Sequence, residues 1–326
     1  MAHPFRFGAI EVFGTSGGHW TETVRKIEDS GFSTLQVVDH LGPQLAPLTA
    51  LAAAATVTTT LRLGTQVLCN EYRHPIVLAK ECATLDVLSD GRLELGLGAG
   101  WMLSDFTSSG IPFDPPGVRI DRLEEALPIL KGCFGNEPVD YNGKHYTVVD
   151  YNSIPKPVQK PHPPILIGGG GKRMLHLAGR EADIVGINFD LRSDATKAPD
   201  TPVAGGVMTA AAAETGTAEA VDQKIGWAKE AAGSRFDQLE FNITGFATRI
   251  TDDVEGTAAE IGGPIGLSAG DVLEIPFVLI GPVERIVDIL IERRERFGIN
   301  YWSFPMPLIP NGYELLSPVV ERLAGT

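Results

Sequence analysis

The pair Asp39-His40 closes an apolar run in the segment LQVVDHLG. A histidine at the end of a strand can donate or accept a proton near neutral pH. A neighbouring carboxylate can hold a ligand ring or tune the site. A helix-start aspartate beside a structural histidine is the plainer alternative. Two glycine runs occupy the same kind of place. GRLELGLGAGW, from Gly91 to Trp101, alternates Leu93, Leu95 and Leu97 with Glu94, Gly96 and Gly98, then turns through Ala99 and Gly100. ILIGGGGKRM sets Gly168, Gly169, Gly170 and Gly171 directly after an apolar run, with Lys172 and Arg173 behind them. Without a Cβ the backbone can approach something flat or anionic.

Neither run is a familiar phosphate loop. A G-x-G-x-x-G count from Gly96 ends on Trp101, and one from Gly168 ends on Arg173. Gly171-Lys172 is followed by Arg173 rather than Ser or Thr, which excludes a Walker loop. A dinucleotide fold is disfavoured, while phosphate binding by backbone amides at a helix start stays open. In GTQVLCNEYRHPIVLAK the chain passes from strand to helix through Cys69, Asn70 and Glu71, and Pro75 starts the helix. Arg73 and His74 either meet an anion there, or are a solvated arginine and a capping histidine. No basic cluster surrounds Cys69, which reads as a small core residue rather than a nucleophile. Asp105, in GWMLSDF, reads as a helix cap rather than an acid.

These residues need elements to position them. Apolar runs at Phe5–Ile10, Leu35–Val38, Leu61–Leu68, Leu93–Leu97, Pro164–Ile167, Ile184–Ile187, Leu239–Ile243 and Tyr301–Phe304 read as strands. Helical stretches at Trp20–Ser30, Leu48–Thr60, Val77–Leu88, Arg119–Phe134 and Val283–Phe297 alternate with them. That alternation predicts an α/β fold, a TIM (β/α)8 barrel with insertion loops, as one domain over residues 1–326. Active sites of such barrels lie at the C-terminal ends of the strands, where His40 and both glycine runs fall. The insertions are expected near 139–149, a β-hairpin around Asn142-Gly143, and near 189–217 and 245–274, as lids or binding walls.

The chain has 326 residues and a net charge of −14. Such an acidic chain is a poor general partner for nucleic acid or an anionic membrane. An anionic cofactor would need local cations, which draws attention to Arg62, Arg73, His74, Lys172 and Arg173. No apolar run is long enough for a membrane span, and no signal segment opens the chain. Cys69, Cys82 and Cys133 make an odd, unclustered set, which predicts reduced thiols in the cytoplasm and no zinc site.

Together the motifs resemble the luciferase-like monooxygenase superfamily, on its deazaflavin-dependent side, and within it an actinobacterial group of F420-dependent oxidoreductases. VVDHLG, the block from Leu61 to Trp101, PKPVQKPHPPILIGGGGKRML, READIVG and LIGPVERIVDILIERRERFGINYW carry the resemblance. It implies a luciferase-like barrel with a flavin-type ring at its C-terminal mouth, and a non-prolyl cis peptide at Gln66-Val67, or failing that at Leu68-Cys69. It assigns deazaflavin binding and assistance to hydride transfer to Asp39 and His40. Gln66, Val67, Asn70, Ala99, Gly100, the run Gly168–Gly171 and Arg173 would bind the cofactor, coenzyme F420, with FMN as the alternative. A homodimer acting on a small organic molecule is expected. One departure matters. Sugar-phosphate-oxidising relatives carry a glutamate directly after the strand-four glycine turn, and this chain has Trp101 there. Beside His40, an aromatic wall suits a bulkier or less polar substrate. The rival readings are a reduced-FMN monooxygenase of the same fold and a non-catalytic cofactor-binding barrel.

Overall fold

The computed structural model describes residues 3–11, 13–14, 16–190 and 213–326. In chain order the strands are β1 (Arg6–Glu11), β2 (Thr34–Val37), β3 (Arg62–Thr65), β4 (Leu68–Cys69), β5 (Leu93–Gly98), β6 (Val139–Asn142), β7 (Thr147–Tyr151), β8 (Ile165–Gly169), β9 (Ile184–Ile187), β10 (Glu240–Thr244), β11 (Ala247–Ile250), β12 (Val278–Gly281) and β13 (Ile299–Pro305). Nine of them run in the order β3-β2-β1-β13-β10-β9-β8-β5-β4, and β3 also pairs with β5, which closes the ring. Because β3 and β4 share one place, the ring is an eight-position parallel barrel, the (β/α)8 architecture expected.

Period-two alternation sorts the strand side chains. Phe7, Leu35, Leu63, Leu95, Ile167, Val185, Ile243 and Trp302, one from each position, are buried in the layer shared with the surrounding helices. Their chain neighbours Leu166, Ile184 and Tyr301 form a separate cluster with Val67, inside the barrel. The interior is polar at its closed end. Glu94 bonds both Arg6 and Arg62, and its second oxygen accepts from Tyr301 Oη at 3.2 Å. Burial opposes ionisation of Glu94, but the two guanidinium groups outweigh it and hold the carboxyl below the usual range. Arg62 is therefore spent at the end of the barrel away from the mouth.

The third strand carries one residue too many. Gly64 pairs with Glu94 and Leu68 with Leu97, so four steps on one strand answer three on the other. The surplus lies at Gln66 and Val67, whose peptide bond is cis, as the resemblance implied. This is a β-bulge, and it turns Gln66 and Val67 inward at the mouth. The Thr65 hydroxyl replaces the lost ladder bonds, donating to Gly96 O at 2.9 Å and accepting from Gly96 N at 2.8 Å. A Cβ on Gly96 would sit 1.9 Å from Thr65 O, so the bulge itself demands that glycine.

Several expectations change. The helix expected at Leu48–Thr60 ends earlier, spanning Pro47–Ala55. β-Branched Val57 and Thr58–Thr60 are poor helix formers, and Arg92 binds Ala55 O and Leu61 O, which fixes the exit. The expected strand Leu61–Leu68 is split by the bulge. The hairpin near 139–149 is present, with a longer loop than Asn142-Gly143 alone, because Glu125 takes the amides of Lys144, His145 and Tyr146. The segment 245–274 is not a bare lid: β11 pairs in parallel with β12, and helices Val254–Gly262 and Ala269–Glu274 lie between them. Helices Ala218–Ala232 and Gly312–Leu323 were not expected. Most of the insertion placed at 189–217 lies outside the described residues. No described helix is long and apolar enough to cross a membrane.

One carboxylate ties the first helix to the entry of β3. Glu28 Oε1 accepts from Thr59 N at 2.9 Å, Thr60 N at 2.7 Å, Leu61 N at 3.0 Å and the Thr60 hydroxyl at 3.0 Å. Burial works against the charge, but these donors prevail and pull the carboxyl down to about 2. A depressed folded-state value stabilises above the unfolded value of about 4.3, and that stability is lost as pH falls toward the folded one. Glu28→Gln is expected to lower unfolding free energy at pH 7 by about 1 kcal/mol. The gap should narrow by pH 3 in urea titrations, whereas a gap independent of pH would remove this role.

Candidate active site

All eight strand positions contribute to one cavity of about 670 Å³ at the C-terminal mouth, through residues such as Ile10, His40, Val67, Gly98, Gly168, Ile187, Asn242 and Pro305. Asp39, Gln66, Ala99, Gly100, Trp101, the run Gly168–Gly171 and Arg173 also line it. The bulge, both glycine runs and the Asp39-His40 pair are thus brought together. Asn70 is not among the lining residues: it is buried, and its amide donates to Tyr146 Oη of the hairpin at 3.3 Å.

Asp39 and His40 are adjacent in sequence and differ in surroundings. Asp39 is buried under a bidentate bridge from Arg73, with Nη1 at 2.6 Å and Nη2 at 3.1 Å, and it accepts the Cys69 amide at 3.0 Å. Both its oxygens are occupied. Burial lowers the Arg73 value, yet Asp39 outweighs it and the net direction is upward. The anion that Arg73 meets is therefore Asp39, and His74 caps the next helix by accepting the Ile76 amide. Asp39 pins the end of β4 from beneath, so the bulged strand cannot retract from the mouth.

His40 is half-buried, and its partner is Asp105. Nδ1 lies 2.8 Å from Asp105 Oδ2, and the Trp101 ring stands edge-on to the imidazole, 5.6 Å between centroids at 89°. Asp105 also accepts from Tyr72 Oη at 3.2 Å and from Leu41 N at 3.2 Å. It does not cap its helix: the N-cap of Leu103–Ser109 is Met102, with no side-chain bond. The cap expectation fails because Asp105 sits in the first turn, turned back toward β2. Its meeting with His40 across 65 residues leaves no local trace in the sequence.

Cys69 is inert here. Burial pushes its thiol up to about 12, as suits a core residue. Arg119 is a wall residue that sequence reasoning missed. Its guanidinium stands 4.1 Å from the Phe113 ring centroid and binds Ala99 O at 3.2 Å and Gly100 O at 3.3 Å, fixing the carbonyls of the glycine turn. The only signal was an arginine in the first turn of a helix that a proline starts. Arg173 lines the cavity but is half-exposed, held by Asp121, Glu124 and Gly117 O.

The second glycine run divides. A Cβ on Gly168 would meet Val67 at 3.5 Å and Leu166 at 4.0 Å, both ordinary contacts. One on Gly170 would sit 2.0 Å from Phe189 O, inside backbone that cannot give way. Gly170 is required by the fold before any ligand is considered. Gly170→Ala is expected to cost about 1–3 kcal/mol, read as a lower Tm, and an unchanged Tm would show that Phe189 imposes no such demand.

The family model for luciferase-like monooxygenases matches residues 2–201. An F420-dependent glucose-6-phosphate dehydrogenase of Microbacterium testaceum is 36% identical over 194 residues, 56% of each chain. An FMNH(2)-dependent dimethylsulfone monooxygenase of Pseudomonas putida is 34% identical over 109 residues, 33% of this chain and 30% of that one. The chain thus spans about half the length, or less, of these relatives. Among solved structures, the coenzyme F420-dependent tetrahydromethanopterin reductase of Methanopyrus kandleri superposes with a TM-score of 0.74 at 22% identity, covering 98% of this chain and 99% of that one. At that identity the likeness is one of fold. The sequence match takes in strands β1 to β9, the bulge, both glycine runs and the Asp39-His40 pair: the chain belongs to the luciferase-like monooxygenase family.

Proposed function

We propose that the chain is an F420-dependent oxidoreductase that passes a hydride between the deazaflavin C5 and an electrophilic carbon of a small organic substrate. The observation that carries the reading is His40, oriented by Asp105, at the wall of a glycine-lined cavity. The relative from Microbacterium testaceum supports the choice of cofactor.

The cavity suits a flat, largely apolar ring with an anionic tail. Its volume of about 670 Å³ lies within the range of small-molecule sites. Val67 lies beside Gly98 and Gly168, leaving a smooth apolar surface. Gly168 has room on its cavity side. Gly171 offers no side-chain cap to the helix Lys172–Glu181, so its first-turn amides and Arg173 would hold the tail. When bound, the deazaflavin supplies the hydride chemistry at C5. The rest falls to this chain. His40 takes up or returns the proton that accompanies the hydride. The bulged strand, pinned by Asp39, holds the floor in place. Trp101, Phe13, Phe113 and Leu308 exclude water.

The wall also speaks to the substrate. Asp39, Asp105, Asp114 and Arg119 all line the cavity and are all bonded to protein partners. With Trp101 beside His40, the substrate is uncharged and less polar than a sugar phosphate.

F420 is expected to bind at least tenfold more tightly than FMN, about 1.4 kcal/mol. Fluorescence titration checks this, and equal or reversed affinities would favour the reduced-FMN monooxygenase reading, which the Pseudomonas putida relative represents. Gly168→Ala should weaken F420 binding while leaving stability within about 0.5 kcal/mol. His40→Ala should lower kcat by about 10²–10⁴ and leave cofactor affinity nearly intact. Asp39→Ala should instead weaken cofactor binding. Failure of reduced F420 to regain the absorption of its oxidised form in a single turnover with any conjugated alkene, imine or carbonyl would leave a cofactor-binding barrel without catalysis.

A further inference from the structure

The bond between His40 and Asp105 constrains more than the ring's orientation. Asp105 is 5% exposed, and among the described residues its ion-pair partner is His40. Three donors converge on it: His40 Nδ1 and Tyr72 Oη on Oδ2, and Leu41 N on Oδ1. An ionised carboxylate accepts and never donates, so a neutral imidazole bonded to it through Nδ1 must carry its proton there. The other ring nitrogen, Nε2, then bears a lone pair. It bonds no described residue, while His40 lines the cavity.

We propose that Asp105 is a positioning residue that fixes the Nδ1–H tautomer of His40, so that Nε2 meets the substrate as a bare proton acceptor. The proton role of Nε2 rests on the oxidoreductase reading above. The tautomer rests on Asp105 alone. In the oxidative direction Nε2 takes the proton that a substrate hydroxyl or amine releases as its carbon gives up hydride to oxidised F420. In the reductive direction the same nitrogen gives the proton back. The imidazolium formed at Nε2 is balanced by the Asp105 carboxylate behind it. Trp101, edge-on to the ring, limits its rotation. Tyr72 and Leu41 hold the carboxylate so that it cannot turn away with the histidine.

The neighbouring donors make Asp105→Asn a sharp test. An amide has one acceptor and one donor end. Leu41 N is a donor, so the amide oxygen must face it and the NH2 must face Nδ1 and Tyr72 Oη, both of which can accept. The proton is then forced off Nδ1 and onto Nε2, with little change of shape. Nitrogen-15 NMR of histidine-labelled protein, at a pH where the ring is neutral, reads which nitrogen carries it. His40→Gln identifies the His40 signals among the seven histidines.

The wild type is expected to show Nδ1–H, and Asp105→Asn to show Nε2–H with F420 affinity within about threefold of wild type. Tyr72→Phe, which leaves the His40–Asp105 bond in place, should keep Nδ1–H. An Nε2–H tautomer in the wild type, or Nδ1–H retained in Asp105→Asn, overturns the proposal. Should Asp105→Asn not fold, the wild-type and Tyr72→Phe spectra decide it. A wild type that shows Nδ1–H but binds no F420 leaves the tautomer standing and removes the cofactor reading instead.

Discussion

A closed barrel leaves little freedom at its mouth, and here one surplus residue in the third strand decides how that freedom is used. Four steps from Gly64 to Leu68 must match three from Glu94 to Leu97. The mismatch cannot be spread around a closed ring, so it is taken up at Gln66 and Val67. Val67 then needs space, and the neighbouring strands supply it as Gly96, Gly98 and Gly168. Gln66 needs a partner and finds Asn242 across the barrel, its amide donating at 3.1 Å. The glycines that first suggested a ligand are in part the answer to this internal demand. The flat floor that suits a ring follows from the same fact.

Electrostatics shapes the rest of the mouth. Asp39 and Asp105 lie on either side of the same loop start, and different partners separate their work. Asp39 faces an arginine and a backbone amide, so it is locked into the scaffold. Asp105 faces a histidine, a tyrosine and a backbone amide. Its charge is answered by an imidazole, which can accept or release a proton. Only the second arrangement can respond to a reaction in the cavity. Arg119, meanwhile, is bonded to carbonyls and stacked on rings, so its charge is absorbed by dipoles and π-faces. The cavity is ringed by ionisable groups and still presents an apolar interior.

This bears on the relation between the chain and its relatives. The match to the luciferase-like family covers the bulge, the glycine runs and six of the eight barrel positions. It does not dictate the substrate, because the substrate meets the loops and not the strands. Trp101 is a case in point: it stands at the foot of the glycine turn and packs on His40 rather than offering a carboxylate. The stretch 245–281 adds a small parallel sheet and two helices, with Phe246 among the residues that line the mouth.

What the sequence determined by itself was whatever depends on near neighbours. Alternating leucines in Leu93–Gly98, proline at a helix start and glycine after a strand are local preferences, and they were enough to predict the barrel and the end of it that carries the site. The cis bond at Gln66-Val67 was legible only through resemblance. Hidden were the pairings between distant residues. Asp105 carried a cap-like signature, and nothing within a turn of it announced His40, Leu41 or Tyr72. Strand β11 was lost among Gly, Thr and Asp because it finds its partner only at β12, beyond 245–274. Arg73 and Asp39 were each visible as charges, but not as each other's. Tertiary structure decided these matters, because a side chain's role depends on which donor or acceptor the closed barrel brings within about 3 Å of it, and that distance is set by the ring as a whole.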